Sequence, residues 1–65
     1  MEFEYEVTFM GSQWTAKVIC YHELDSEIVK NRTAIEGWAE AVASNNGLEL
    51  NDYHEVLILK TGELR

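Results

Sequence analysis

Residues 2–21 read EFEYEVTFMGSQWTAKVICY, and within them two runs of alternating apolar and polar residues flank a Gly-Ser pair. This pattern predicts a β-hairpin with strands over residues 2–10 and 13–21. Glycine at the first central position suits a two-residue type II′ turn, which needs a positive φ there. Such a turn sets the register of the hairpin and places Phe9 opposite Trp14.

The two faces of the predicted hairpin differ in chemistry. In this register one face collects the apolar side chains, and we predict that it forms the core: Phe3, Tyr5, Val7, Phe9, Trp14, Ala16, Val18 and Cys20. On the other face Glu2, Glu4 and Glu6 alternate along strand one and form an acidic ladder. A shift of one residue would bury these three glutamates, so the pattern and the turn favour the same pairing.

After residue 25 the apolar period changes to that of a helix. The apolar side chains of this segment share one stripe of the helix: Ile28, Ile35, Trp38, Ala39 and Val42. Both tryptophans of the chain, Trp14 and Trp38, are expected in the core. We predict a helix over about residues 26–45. Its start stays open between Asp25 and Thr33, since Asp25 suits the cap of a long helix and Thr33 begins the capping-box spacing of a shorter one. Residues 45–47, Asn-Asn-Gly, predict its end.

The last predicted element is a strand over residues 53–60. Its residues 56–59 are all apolar, so the strand has apolar side chains on both faces. A right-handed crossover through the helix makes this strand parallel to strand two, most simply with strand one between them. The sequence therefore predicts an α+β fold of ββαβ order over a single domain, residues 1–65. Its three-stranded antiparallel sheet has the order 2-1-3, with one helix packed on one face. Residues 61–65 are expected to fray.

Composition argues against several classes of function. The chain has 65 residues, twelve acidic and five basic, with a formal charge of -7. Such an acid excess disfavours direct binding to nucleic acid or to an anionic membrane. No apolar run approaches the roughly 18 residues of a membrane span, and the first four residues lack the basic start of a signal peptide. We expect a cytoplasmic protein, whose single cysteine has no partner for an internal disulfide.

The residues that most often carry catalysis are not expected to meet. Cys20 is predicted to point into the core, where a thiol acts as a small apolar group. His22 ends strand two and His54 begins strand three, so the two imidazoles are expected at opposite ends of the sheet. The glycines lie at scattered turns and form no phosphate-binding loop. We therefore expect no enzyme, no cofactor and no metal site.

The open face, by which we mean the sheet face away from the helix, is the predicted interaction surface. Successive residues on one face of a strand lie ~6.6–6.8 Å apart, which is comparable with the phosphate step of a nucleic-acid strand. Aromatic and apolar residues are predicted to share this face with the acids, including Ile19, Leu57 and Leu59. The candidate partner-binding residues are Glu2, Glu4, Glu6, Tyr21, Tyr53 and Glu55.

Two further interpretations of this face stay open. Charged residues keep an exposed sheet soluble whatever its function. The apolar strip is also suited to burial between two copies of the chain, so the alternative is a homodimeric structural or regulatory protein.

The order of elements across residues 2–60, together with the acidic charge and the absence of proline, resembles a class of small proteins. This class is the compact inhibitors that bacteriophages and mobile elements encode, including anti-CRISPR proteins and inhibitors of host RNA polymerase. The resemblance implies stoichiometric binding, in the cytoplasm of a bacterial host cell, to a larger basic protein that handles nucleic acid. Such an inhibitor acts as a DNA mimic that occupies the basic surface of its target.

Overall fold

The computed structural model of the protein describes residues 1–63. Two strands come first, β1 (Phe3–Met10) and β2 (Thr15–His22). A 3₁₀ turn (Val29–Asn31) then leads into helix α1 (Arg32–Asn45), and β3 (Glu55–Glu63) follows. The sheet has the order β2-β1-β3, and β1 is antiparallel to both neighbours. The predicted α+β fold of ββαβ order is confirmed.

The core lies between the central strand and the helix. Tyr5, Val7 and Phe9 of β1 have no exposed surface, because α1 covers their face of the sheet. Around them the other buried apolar residues come from β2 and α1: Val18, Cys20, Ile35, Ala39 and Ala43. The predicted core face of the hairpin is thus confirmed. Burial of these side chains is the main stabilising contribution, at about 1.5–3 kcal/mol for each large one.

The predicted turn is wrong, and with it the predicted register. Met10 pairs with Thr15, so the loop holds residues 11–14 and β2 begins two residues later than predicted. The N–H of Gly11 donates to the carbonyl of Trp14 over 2.9 Å, and Gly11 is not among the described residues with positive φ. Position 11 favours glycine for another reason: a β-carbon there would overlap the indole of Trp14. Phe9 lies opposite Ala16 and not opposite Trp14, which is a shift of two residues. A shift of two residues leaves every side chain on the same face of the sheet, so the predicted apolar and polar faces are unchanged.

The helix begins at Arg32, close to the later of the two starts left open between Asp25 and Thr33, so it is shorter than the range 26–45 because the chain from Asp25 to Asn31 folds as turns. The side-chain amide of Asn31 donates to the carbonyl of Asp25 over 3.0 Å, and Arg32 Nε donates to the carbonyl of Ser26 over 3.2 Å. These contacts use the polar side chains of the helix start to close the turns. The predicted end is confirmed: Gly47 has φ 79°, and the Leu48 N–H donates to the carbonyl of Ala43, as in a Schellman motif.

Strand β3 covers Glu55–Glu63, so it begins and ends later than the predicted strand over residues 53–60. Thr61 is the extra residue of an irregularity beside Glu4 and Tyr5, and beyond it Gly62 and Glu63 pair with Glu4 and Phe3 of β1, so the expectation that they fray is wrong. Residues 64–65, the rest of that expected tail, lie outside the described residues. No helix within residues 1–63 is long and apolar enough to cross a membrane.

Lys60 ties β3 to the turns that precede the helix. Its Nζ lies 2.9 Å from Asp25 Oδ1, 3.2 Å from Glu27 Oε2 and 4.6 Å from the centre of the Phe3 ring. The Glu27 N–H and, after it, the Lys60 ammonium lower the pKa of the Asp25 carboxyl. Lys60 is therefore engaged on the helix side of the sheet and does not offset the acids of the open face.

Candidate functional site: the open sheet face

The open face is a mixed acidic and apolar surface that the helix does not cover. Three of its side chains are large, apolar and about half exposed: Ile19 (50%), Leu57 (56%) and Leu59 (57%). The register with β1 places Ile19 and Leu59 on either side of Glu6. A carboxylate therefore stands between two exposed apolar side chains in the middle of this face.

Glu4 occupies one end of this face and is held from both sides. The Tyr21 hydroxyl donates to its Oε2 over 3.0 Å, and the Thr61 hydroxyl donates to its Oε1 over 2.8 Å. Because these hydroxyls come from the two flanking strands, the carboxylate has a set orientation. The structure thus brings the candidate residues Glu4 and Tyr21 together in a direct hydrogen bond.

The other acids of the open face are less constrained. Glu6 Oε1 lies 3.9 Å from Lys17 Nζ, a contact with a largely exposed lysine that contributes little stability. Glu55 is exposed and lies opposite Met10, at the far end of β1 from Glu4. The placement of Glu4, Glu6 and Glu55 on this face therefore agrees with the sequence prediction, although Glu55 stands apart from the other two.

Tyr53 lies on the helix side of the sheet, so its predicted place on the open face is wrong. Its hydroxyl hydrogen-bonds to the carboxylates of Glu36 and Glu40 on α1. Its ring meets Phe9 edge-on, with 4.8 Å between centroids. Burial of the phenol and then these two carboxylates raise the pKa of Tyr53 far above its usual value. The error has a clear cause: β3 begins only at Glu55, so strand alternation does not extend back to Tyr53.

Glu2 is also displaced from the predicted ladder, because it precedes β1. It lines a cavity of about 170 Å³ with Tyr21, His22, Glu23 and Trp38, which we call the Trp38 cavity. Trp38 is 48% exposed, so the prediction of a core tryptophan at this position is wrong. Position 38 lies at the edge of the helical stripe whose centre is Ile35 and Ala39, and periodicity alone does not separate the two places.

The chemistry-bearing residues outside these surfaces are separated or buried. Cys20 is 2% exposed, and burial raises the pKa of its thiol. His22 pairs with Phe3, whereas the N–H of His54 donates to Met10 at the other end of β1, so the predicted separation of the two imidazoles is confirmed. Among residues 1–63 no three His, Cys, Asp or Glu side chains converge as metal ligands do.

Comparisons of the chain with protein-family models, with curated protein sequences and with solved structures found no match.

Proposed function

We propose that this protein is a binding protein that inhibits a larger, nucleic-acid-handling protein by occupying its basic surface. The observation that carries the proposal is the open face itself. Carboxylates and exposed apolar side chains alternate there on a sheet that the helix leaves uncovered. The proposal places the protein among the inhibitors that bacteriophages and mobile elements encode, such as anti-CRISPR proteins, acting in the cytoplasm of a bacterial host.

Charge supports a basic target. The chain carries a net charge of -7, and on the open face the carboxylates of Glu4, Glu6 and Glu55 outnumber Lys17 and the nearby Arg32. Glu4 and Glu6 project ~6.6–6.8 Å apart along β1. A nucleic-acid strand, with an axial rise of ~3.4 Å per nucleotide before winding is counted, presents phosphates on a comparable scale. The two carboxylates are thus suited to a groove that evolved for a phosphate backbone.

The apolar side chains of the open face supply binding affinity that its charges alone do not. Exposed charges mainly steer association and set its salt dependence, whereas buried apolar and aromatic contacts carry most of the affinity. Ile19, Leu57 and Leu59 offer such contacts beside the acids. The proposed contact residues are therefore Glu4, Glu6, Glu55 and Tyr21 with this apolar strip, and Glu2 at its end. Tyr53 is no longer among them.

Neutralising the open face should abolish capture of the partner. The test variant is Glu4→Gln, Glu6→Gln and Glu55→Gln, in which each amide keeps an acceptor oxygen and the approximate shape. Immobilised protein is incubated with bacterial lysate, and retained proteins are quantified by mass spectrometry at low and at high salt. We expect a nucleic-acid-binding protein on the native bait at low salt, lost when DNA competes and reduced at least about tenfold on the variant.

A matched control separates local charge from total charge. Glu27→Gln, Glu49→Gln and Asp52→Asn remove three exposed acids away from the open face and leave the same net charge as the test variant. Asparagine suits position 52, where φ is 57°. Equal capture by the test and control variants would remove the open-face acids from the mechanism.

A second candidate function is a homodimer, and strand β3 favours it. This edge strand has Leu57 and Leu59 exposed on one face, with Val56 and Ile58 only partly buried on the other. Exposed apolar edge strands are prone to pair with another copy. In such a dimer the apolar strip is the interface and the acids only maintain solubility.

Sedimentation distinguishes the two candidates, and the inhibitor proposal predicts a monomer. We expect the mass of one chain, 7.5 kDa, over a wide range of protein concentration, because the open face must be free for the partner. Leu57→Thr with Leu59→Thr is the companion variant, since threonine suits a strand and removes the apolar strip. A native dimer that this variant dissociates would establish the alternative.

A further inference from the structure

The Trp38 cavity lies where β1 begins and β2 ends. Phe3 and His22 form the last pair of the β1–β2 ladder, so Glu2 and Glu23 leave the sheet next to each other. Both residues line the cavity. Like charges on neighbouring strand ends repel, and a cation between them relieves that repulsion. No lysine or arginine from the described part of the chain lines this cavity.

The wall of the cavity is aromatic and well supported. The ring of Trp38 meets that of His22 at 80°, with 5.9 Å between centroids. His22 is itself held, because its Nδ1 accepts a hydrogen bond from the Leu24 N–H over 3.0 Å. Trp38 therefore rests against an anchored ring while nearly half of its surface stays exposed. A supported, exposed indole is typical of residues that dominate binding to a protein partner.

The size and chemistry of the cavity select its occupant. Its volume of about 170 Å³ is below the range of small-molecule and cofactor sites, which begins at about 300 Å³. An arginine side chain suits it, because a guanidinium stacks on an indole face and donates paired hydrogen bonds to carboxylates. The guanidinium of arginine is also more weakly hydrated than the ammonium of lysine, so it loses less hydration free energy on entering a partly enclosed site.

We propose that the Trp38 cavity binds an arginine side chain of the partner protein, with Trp38 as the stacking surface and with Glu2 and Glu23 as the hydrogen-bond acceptors. This inference rests on the proposed function for the nature of the partner and adds the residue that the partner inserts. Glu2 then acts at this cavity, next to the open face, and the basic surface of the partner is anchored at one defined point.

The cavity is testable without the partner. Isotope-labelled protein is titrated with N-acetylarginine amide at millimolar concentrations, and the indole N–H signals of Trp38 and Trp14 are followed by NMR. We expect a saturable shift of the Trp38 signal and of the amides of residues 2 and 23, with the Trp14 signal unchanged. N-acetylcitrulline amide has nearly the same shape without the charge and should shift the Trp38 signal at least about fivefold less.

Two variants of equal net charge complete the experiment. Glu2→Gln with Glu23→Gln should weaken binding of the arginine probe at least about fivefold, whereas Glu49→Gln with Asp52→Asn should leave it unchanged. Equal shifts by arginine and citrulline, or equal binding by the two variants, would overturn the proposal. That failure would leave the bait experiment on the open face to judge the inhibitory function separately, because its variants keep Glu2, Glu23 and Trp38.

Discussion

Replacing Phe9 with alanine is expected to lower the free energy of unfolding by about 3–5 kcal/mol, the largest effect of any substitution considered for this protein. Phe9 lies on the central strand with no exposed surface and contacts the ring of Tyr53 edge-on. A domain of this size has a total stability of only about 3–10 kcal/mol. The Phe9→Ala protein should therefore lose a third or more of its stability and unfold at a much lower urea concentration, as measured by urea titration with circular dichroism.

Two companion variants make this result quantitative. Phe9→Leu fills part of the same space and should cost about 1–2 kcal/mol, which leaves a transition that can be fitted. Thr8→Ala changes the neighbouring residue of β1 on the open face and should change the stability by less than about 1 kcal/mol. A Phe9→Ala protein as stable as Thr8→Ala would mean that the core does not centre on the β1 face that we describe.

Removing one oxygen from Tyr5 should cost about 2–4 kcal/mol, because the change leaves two backbone groups without their partner. The Tyr5 hydroxyl donates to the carbonyl of Leu24 over 2.7 Å and accepts from the N–H of Ser26 over 2.9 Å. Ser26 is 6% exposed, so water does not readily replace the lost acceptor. This single hydroxyl thus holds the chain between β2 and α1 against the end of the sheet.

The Tyr5→Phe variant is measured in two ways. Urea unfolding gives the stability, and amide hydrogen exchange reports on the Ser26 N–H, which should be protected in the native protein and exchange rapidly in the variant. Tyr21→Phe is the control: it removes a hydroxyl that bonds to the partly exposed Glu4 carboxylate and should cost less than about 1 kcal/mol. Unchanged protection of Ser26 in Tyr5→Phe would contradict the role assigned to this hydroxyl.

Much of the fold was predictable because its signals are local. Alternation along residues 2–10 assigned Tyr5, Val7 and Phe9 to the core, and that assignment tolerates a register error of two residues. The end of the helix was predictable from Gly47, since few other residues adopt a positive φ without strain. The sheet order was predictable because a crossover makes strands two and three parallel, and the simplest arrangement then keeps strand one between them.

The candidate site was less predictable, because its residues meet through contacts between distant parts of the chain. Trp14 folds over Gly11 and lengthens the hairpin loop, although a Gly-Ser pair is typical of a shorter turn. Tyr53 reaches the acids of α1 because the chain enters β3 from the helix side. Strand alternation carries no information on residues that lie outside the strand itself.

The sequence by itself therefore determined which faces are apolar, where the helix ends, and that the open face carries Glu4 and Glu6. Only the tertiary structure decided that Tyr53 leaves that face and that Glu2 joins Trp38 around one cavity. The physical reason is that periodicity records how each residue is oriented on its own strand or helix. The meeting of side chains from different elements depends instead on loop lengths and packing, which no local pattern contains.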